Sequence, residues 1–136
     1  MTELQVVRTL DASPERVWRA FTTAAGLSAW MWPGSWQAVS EVDLRVGGRY
    51  RIASSQMGMA VAGEFVALDE PHRLVQTWAW EGDPEETLVT VTFEPSATGG
   101  TDLTILHERF ESDEDRDNHL QGWNDCLDRL PAYLLG

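Results

Sequence analysis

His107 is the first residue in this chain whose type and placement suggest chemistry. It falls in phase with Leu103 and Ile105 in an alternating run, so its ring is predicted to face the apolar side of a strand. There an imidazole either orients a ligand or exchanges a proton, or it is a core histidine satisfied by a backbone carbonyl. Arg109 is predicted on the same face, where its planar fork suits a carboxylate, unless it is an exposed strand end. The other group is aromatic. Trp30, Trp32 and Trp36 cluster around Pro33-Gly34, and with Trp78, Trp80 and Trp123 they offer flat apolar surface to a ligand or to an ordinary core. Met57 and Met59 flank Gly58 in a predicted hairpin and read as an adaptable lid or as plain packing.

Other chemistries find less support. His72, His107 and His119 are scattered, and no His-x-x-x-His or Cys-x-x-Cys spacing occurs, so no metal site is expected. No phosphate-binding glycine loop or Gly-x-Ser-x-Gly elbow is present, and no cofactor is implied. Cys126 sits between Trp123 and Leu127 with no evident base and reads as a packing residue. All ten basic residues are arginines, which excludes Schiff-base chemistry on a lysine. The run Glu111 to Asp115 lacks the glycine and final glutamate of a calcium loop and better suits the positive end of a helix. No catalytic residue is assigned.

These side chains need elements to hold them. Residues Leu4 to Leu10 are β-prone, and Ser13-Pro14 is a helix start. Val17, Trp18, Phe21 and Ala25 predict a helix to about Ala25, broken at Gly26 before a second short piece, Leu27 to Met31. Six strands are then predicted: Gln37 to Leu44, Arg49 to Ser54, Met59 to Leu68, Leu74 to Trp80, Thr87 to Glu94 and Thr101 to Arg109. Turn residues punctuate them, Gly47-Gly48 and Gly99-Gly100 among others. The joints are too short for parallel crossovers, so an antiparallel meander follows. Leu120, Trp123, Leu127, Leu130 and Leu134 form the apolar stripe of a final helix that covers the sheet, opened by Ser112 and kinked or broken by Pro131 near Leu130. The fold class is α+β, with six to seven strands, two short helices after the first and a long C-terminal helix.

The 136 residues suit one domain spanning 1–136. A formal charge of −12 opposes binding to nucleic acid or to an acidic membrane surface; it serves solubility or docks a basic partner. A single cysteine allows no intramolecular disulfide. Neither a signal peptide nor a membrane span is evident, and a cytoplasmic location is expected.

Several stretches taken together carry a family resemblance. They are Ala12-Ser13-Pro14-Glu15-Arg16-Val17-Trp18, Asp43-Leu44-Arg45-Val46-Gly47-Gly48-Arg49-Tyr50, Glu70-Pro71-His72-Arg73-Leu74, Gly100 to His107, and Gly122-Trp123-Asn124-Asp125-Cys126-Leu127. In this order, from about Val6 to Leu134, the chain resembles Aha-type activator homologues of the heat-shock-protein-90 ATPase. That family lies within the SRPBCC superfamily of START and birch-pollen-allergen-like domains. Two departures stand out. Trp30-Met31-Trp32 replaces the adjacent tryptophans the family often has, and Arg109 stands where it often has glycine.

The resemblance implies a helix-grip fold with a cavity between the curved sheet and the C-terminal helix. Trp30, Trp32, Trp36, Trp78, Trp80, His107, Arg109 and Trp123 are then the expected ligand-binding residues. The leading expectation is a noncatalytic protein, monomer or homodimer, that binds a hydrophobic small molecule: a lipid, an aromatic or a polyketide-like compound. A co-chaperone-like module of the stress response, with a chaperone partner, is the first alternative. A cavity cyclase or hydrolase using His107 is the second.

Overall fold

The computed structural model describes residues 1–135. After strand β1 (Thr2–Leu10), Ser13 Oγ accepts the Arg16 N–H and Pro14 occupies the first turn of α1 (Pro14–Thr22). α1 stops earlier than its apolar spacing predicts. Thr23 is extended (φ −115°, ψ 147°), and its Oγ1 accepts the Gly26 N–H at 3.1 Å, so the threonine caps α2 (Ala24–Trp30). The break therefore lies at Thr23, and Gly26 is inside the second helix. Trp30 joins the two helices: its Nε1 donates to Ala20 O at 2.9 Å and its ring meets Phe21 edge-on.

A 3-10 turn (Gly34–Trp36) leads to β2 (Val39–Val42), β3 (Arg49–Ser54), β4 (Met59–Asp69), β5 (Arg73–Trp80), β6 (Thr87–Pro95) and β7 (Thr101–Phe110). β2 is shorter than expected because Gln37 turns through a left-handed conformation at φ 50°. The seven strands pair antiparallel in the order β1-β7-β6-β5-β4-β3-β2, a meander with the first strand laid beside the last.

The sheet is curved, and one glycine shows how closely its backbone is drawn together. A Cβ on Gly63 would sit 1.9 Å from Thr77 O, the carbonyl to which the Tyr50 hydroxyl donates at 2.5 Å. Strand glycines commonly mark such close backbone approaches.

α3 (Asp113–Leu135) covers the sheet's apolar face. Ser112 Oγ accepts the Asp115 N–H, and Trp123, Leu127, Leu130 and Leu134 are buried. Each such side chain contributes about 1.5–3 kcal/mol. Of the kink or break expected near Leu130, the break does not occur: α3 runs on through Pro131. Leu130 and Leu134 are packed on either side of the proline, and Arg16 donates to Leu134 O, so tertiary contacts hold the last turn where an interior proline costs ~3 kcal/mol. Along β1, Arg8 Nη2 donates to Asn124 Oδ1 at 2.7 Å.

Arg109 does not share the face of His107. Between the pairs Leu4–His107 and Thr2–Phe110, β7 has one residue more than β1, and Arg109 takes up this bulge at φ 75°. Phe110 turns inward and Arg109 is exposed. Glycine is relieved of such strain, so Arg109→Gly should raise stability by roughly 0.5–1 kcal/mol, the left-handed penalty less the extra chain entropy of glycine. Gly63→Ala should lower it by about 1–3 kcal/mol through overpacking. Urea midpoints of the two variants must move in opposite directions.

Candidate functional site

His107 lies at the junction of sheet and α3 with no solvent exposure. Trp123 Nε1 donates to His107 Nδ1 at 3.0 Å. An indole N–H can only donate, so Nδ1 is the unprotonated nitrogen and the proton sits on Nε2. Nε2 is 2.7 Å from Thr87 Oγ1, whose own hydrogen goes to Trp78 O at 3.1 Å. Every group in this hydrogen-bonded series, from the Trp123 indole to the Trp78 carbonyl, has a partner. Burial, and to a lesser degree the neighbouring His119, push the imidazole pKa down to about 3.

Beside this network lies a pocket of about 330 Å³. The sheet supplies Met59, Trp78 and Trp80. The segment after α2 supplies Met31, Trp32, Pro33 and Trp36. Trp32 stacks nearly parallel on Trp80, centroids 6.0 Å apart at 10°, while Trp36 tilts against Trp32 and Trp78 against Trp123. The third wall is α3, with Gly122, Trp123 and Cys126.

Polar groups gather along that helix. His119 Nε2 accepts the Trp80 indole N–H at 2.9 Å, which leaves Nδ1 to donate to Asp115 O at 2.7 Å. Arg129 donates from Nε to Trp30 O and from Nη2 to Met31 O, at 3.1 and 2.8 Å. The Cys126 thiol also donates to Met31 O, at 2.8 Å, and burial pushes its pKa up to about 11, so it is no nucleophile at neutral pH. Asn118 and Asp125 are exposed at the rim.

Trp32, Trp36, Trp78, Trp80 and Trp123 are thus brought together around one space. Trp30 is in the core behind it, His107 is behind the Trp78 and Trp123 walls, and Arg109 is outside on the bulge. Sequence reasoning overlooked Arg129 and His119. Their signal was helical spacing: His119 lies four residues before Trp123, and Arg129 three after Cys126. Although distant in sequence, the His107 and His119 rings are 5.2 Å apart. Among the described residues no three His, Cys, Asp or Glu side chains are gathered as for a metal ion. Nor, among them, is any helix long and apolar enough to cross a membrane.

No curated protein matches the chain. Among solved structures it is similar to protein CV1439 from Chromobacterium violaceum, at 30% identity and a TM-score of 0.83 over 97% of this chain and 96% of that one. An HSP90 activator from Plasmodium falciparum is 24% identical, with a TM-score of 0.81 over 98% and 96% of the two chains. CalU16 from Micromonospora echinospora is 25% identical, with a TM-score of 0.78 over 97% and 75%. Residues 11–135, which hold both walls of the pocket and α3, match the family described as Activator of Hsp90 ATPase homolog 1-like protein, and the chain belongs to that family.

Proposed function

We propose that the protein binds a hydrophobic, aromatic small molecule, without transforming it, in the pocket between α3 and the sheet. The observation that carries this reading is a space of about 330 Å³ walled by five indoles and two methionines. Ligand pockets run from about 300 Å³ upward and combine apolar walls with a few polar groups, so one compact ring system fits the scale. Aromatic rings offset or tilted on the indoles would add to the gain from burial.

The titratable groups favour binding over turnover. A general acid or base must reach the substrate, whereas both His107 nitrogens are engaged inside the protein and the ring is already neutral far below pH 7. Family membership favours a second reading, a co-chaperone module acting on a heat-shock-protein-90-type ATPase. Turnover by a purified chaperone of that type would then rise on adding this protein; an unchanged rate removes the reading.

Tryptophan fluorescence should change saturably on titration with two- and three-ring aromatics. Trp36→Ala, a loss from the half-buried lip, should weaken binding about tenfold or more, the scale of one truncated aromatic anchor. An invariant spectrum across such a panel would reject the binding reading.

The proton equilibrium of His107 gives an independent check on its structural role. Unfolded, an imidazole titrates near ~6.5; folded, this one does so at about 3. As pH falls the unfolded chain takes the proton first, so the stability present above ~6.5 should decline by ~1.4 kcal/mol per pH unit toward about 3. His107→Gln should lose stability at pH 7 and show a shallower decline between pH 6.5 and 4.5. Urea unfolding at several pH values measures both, and equal slopes would refute the assignment.

A further inference from the structure

The pocket is chemically one-sided. Two of its indoles, Trp80 and Trp123, already donate to His119 and His107. Trp78 does not: the residue is 5% exposed, and its Nε1 has no acceptor among the described residues. A buried N–H without a partner costs about 1–3 kcal/mol. Arg129 uses Nε and Nη2 on the carbonyls of Trp30 and Met31, and among the described residues its Nη1 makes no hydrogen bond and no carboxylate forms an ion pair with it. On the acceptor side, both His119 nitrogens are engaged, and Asp125 and Asn118 are exposed at the rim. Less exposed than these rim residues, Arg129 keeps Nη1 as a donor without a partner among the described residues, while the Trp78 N–H is sealed from solvent.

We propose that the occupant is an aromatic carboxylate, its rings against the indoles and its carboxylate on the Nη1 N–H groups of Arg129, a residue that lines the pocket. This rests on the binding reading above and narrows its ligand class. A guanidinium keeps its charge at any relevant pH, and its hydrogen bonds to carboxylates are stronger than neutral ones. Two features oppose an anion: Asp125 at the rim and the net charge of −12. Asp125 is exposed, so water and salt damp its repulsion, and the diffuse field slows approach more than it weakens the bound contact. Indoles also attract cations, but here Arg129 shares the wall with them.

Three probes of similar shape separate the outcomes: 2-naphthoate, 2-methylnaphthalene and 2-naphthylmethylammonium, titrated by tryptophan fluorescence and calorimetry. 2-Naphthoate should bind on the order of tenfold more tightly than 2-methylnaphthalene. Arg129→Gln should bring the affinity ratio of 2-naphthoate to 2-methylnaphthalene from about tenfold to about one, on top of any common loss from the missing brace on Trp30 and Met31; a purely structural role would weaken both probes alike and keep the ratio. Asp125→Asn, which leaves the Arg129 contacts to Trp30 and Met31 untouched, should tighten 2-naphthoate about two- to threefold and keeps the test open if Arg129→Gln does not fold. Binding of 2-methylnaphthalene or of the ammonium as tightly as 2-naphthoate overturns the carboxylate and leaves the binding reading standing. No binding by any of the three overturns both.

Discussion

A neutral imidazole carries a fully buried polar link between α3 and the sheet, and the pocket's inner wall depends on it. Neutral histidine has one donor and one acceptor, and both are matched here by groups of opposite kind: an indole that can only donate, and a hydroxyl that accepts and passes its own hydrogen to a backbone carbonyl. An apolar residue in the same volume would strand the Trp123 N–H, and a charged one would have to be dehydrated. Because Trp123 is fixed by this bond, its ring stands 5.4 Å from that of Trp78, and the two form the inner wall of the pocket.

The opposite wall is held by a second set of donors. Helix α2 has only seven residues and ends at Trp30, leaving carbonyls with no partner inside the helix. α3 supplies the donors: Arg129 to Trp30 O and Met31 O, and the Cys126 thiol to Met31 O. A cation at a helix C-terminus is also favoured by the helix dipole. The chain is thereby anchored just before Trp32, and Trp32 stacks on Trp80 across the space. Polar braces at both sides set the spacing of the aromatic walls.

The order of elements, the antiparallel meander and the covering helix were legible because each rests on local signals: strand alternation in Val89, Val91 and Phe93, turn residues at Gly47-Gly48, and the stripe from Leu120 to Leu134. The misplaced boundaries have local causes too. A threonine cap outweighed a glycine breaker at residues 23–26, and packing carried α3 through Pro131. The site was half legible. Five tryptophans expected in it line it, but alternation could not reveal the bulge that turns Arg109 out, since a bulge depends on the partner strand. Nor could the sequence show that His107 has no free nitrogen, because Thr87 and Trp123 reach it only through sheet pairing and helix docking.

His107 and Arg129 mark the difference between a residue that builds a site and one that can act in it. Both were drawn into polar networks by folding, and both adjoin the aromatic wall. The histidine has nothing left to offer: its lone pair holds Trp123, its proton serves Thr87, and burial keeps a second proton away. The arginine carries five N–H donors, and bracing two carbonyls leaves Nη1 without a partner among the described residues, on a residue that lines the pocket. A shared fold constrains the first kind of residue and leaves the second kind free to vary, which is how one scaffold can serve unrelated ligands and activities. Functional assignment within such a scaffold therefore follows the donors and acceptors that remain once the fold's own hydrogen bonds have been made. At this pocket, among the described residues, Arg129 Nη1 is such a donor, beside an aromatic wall.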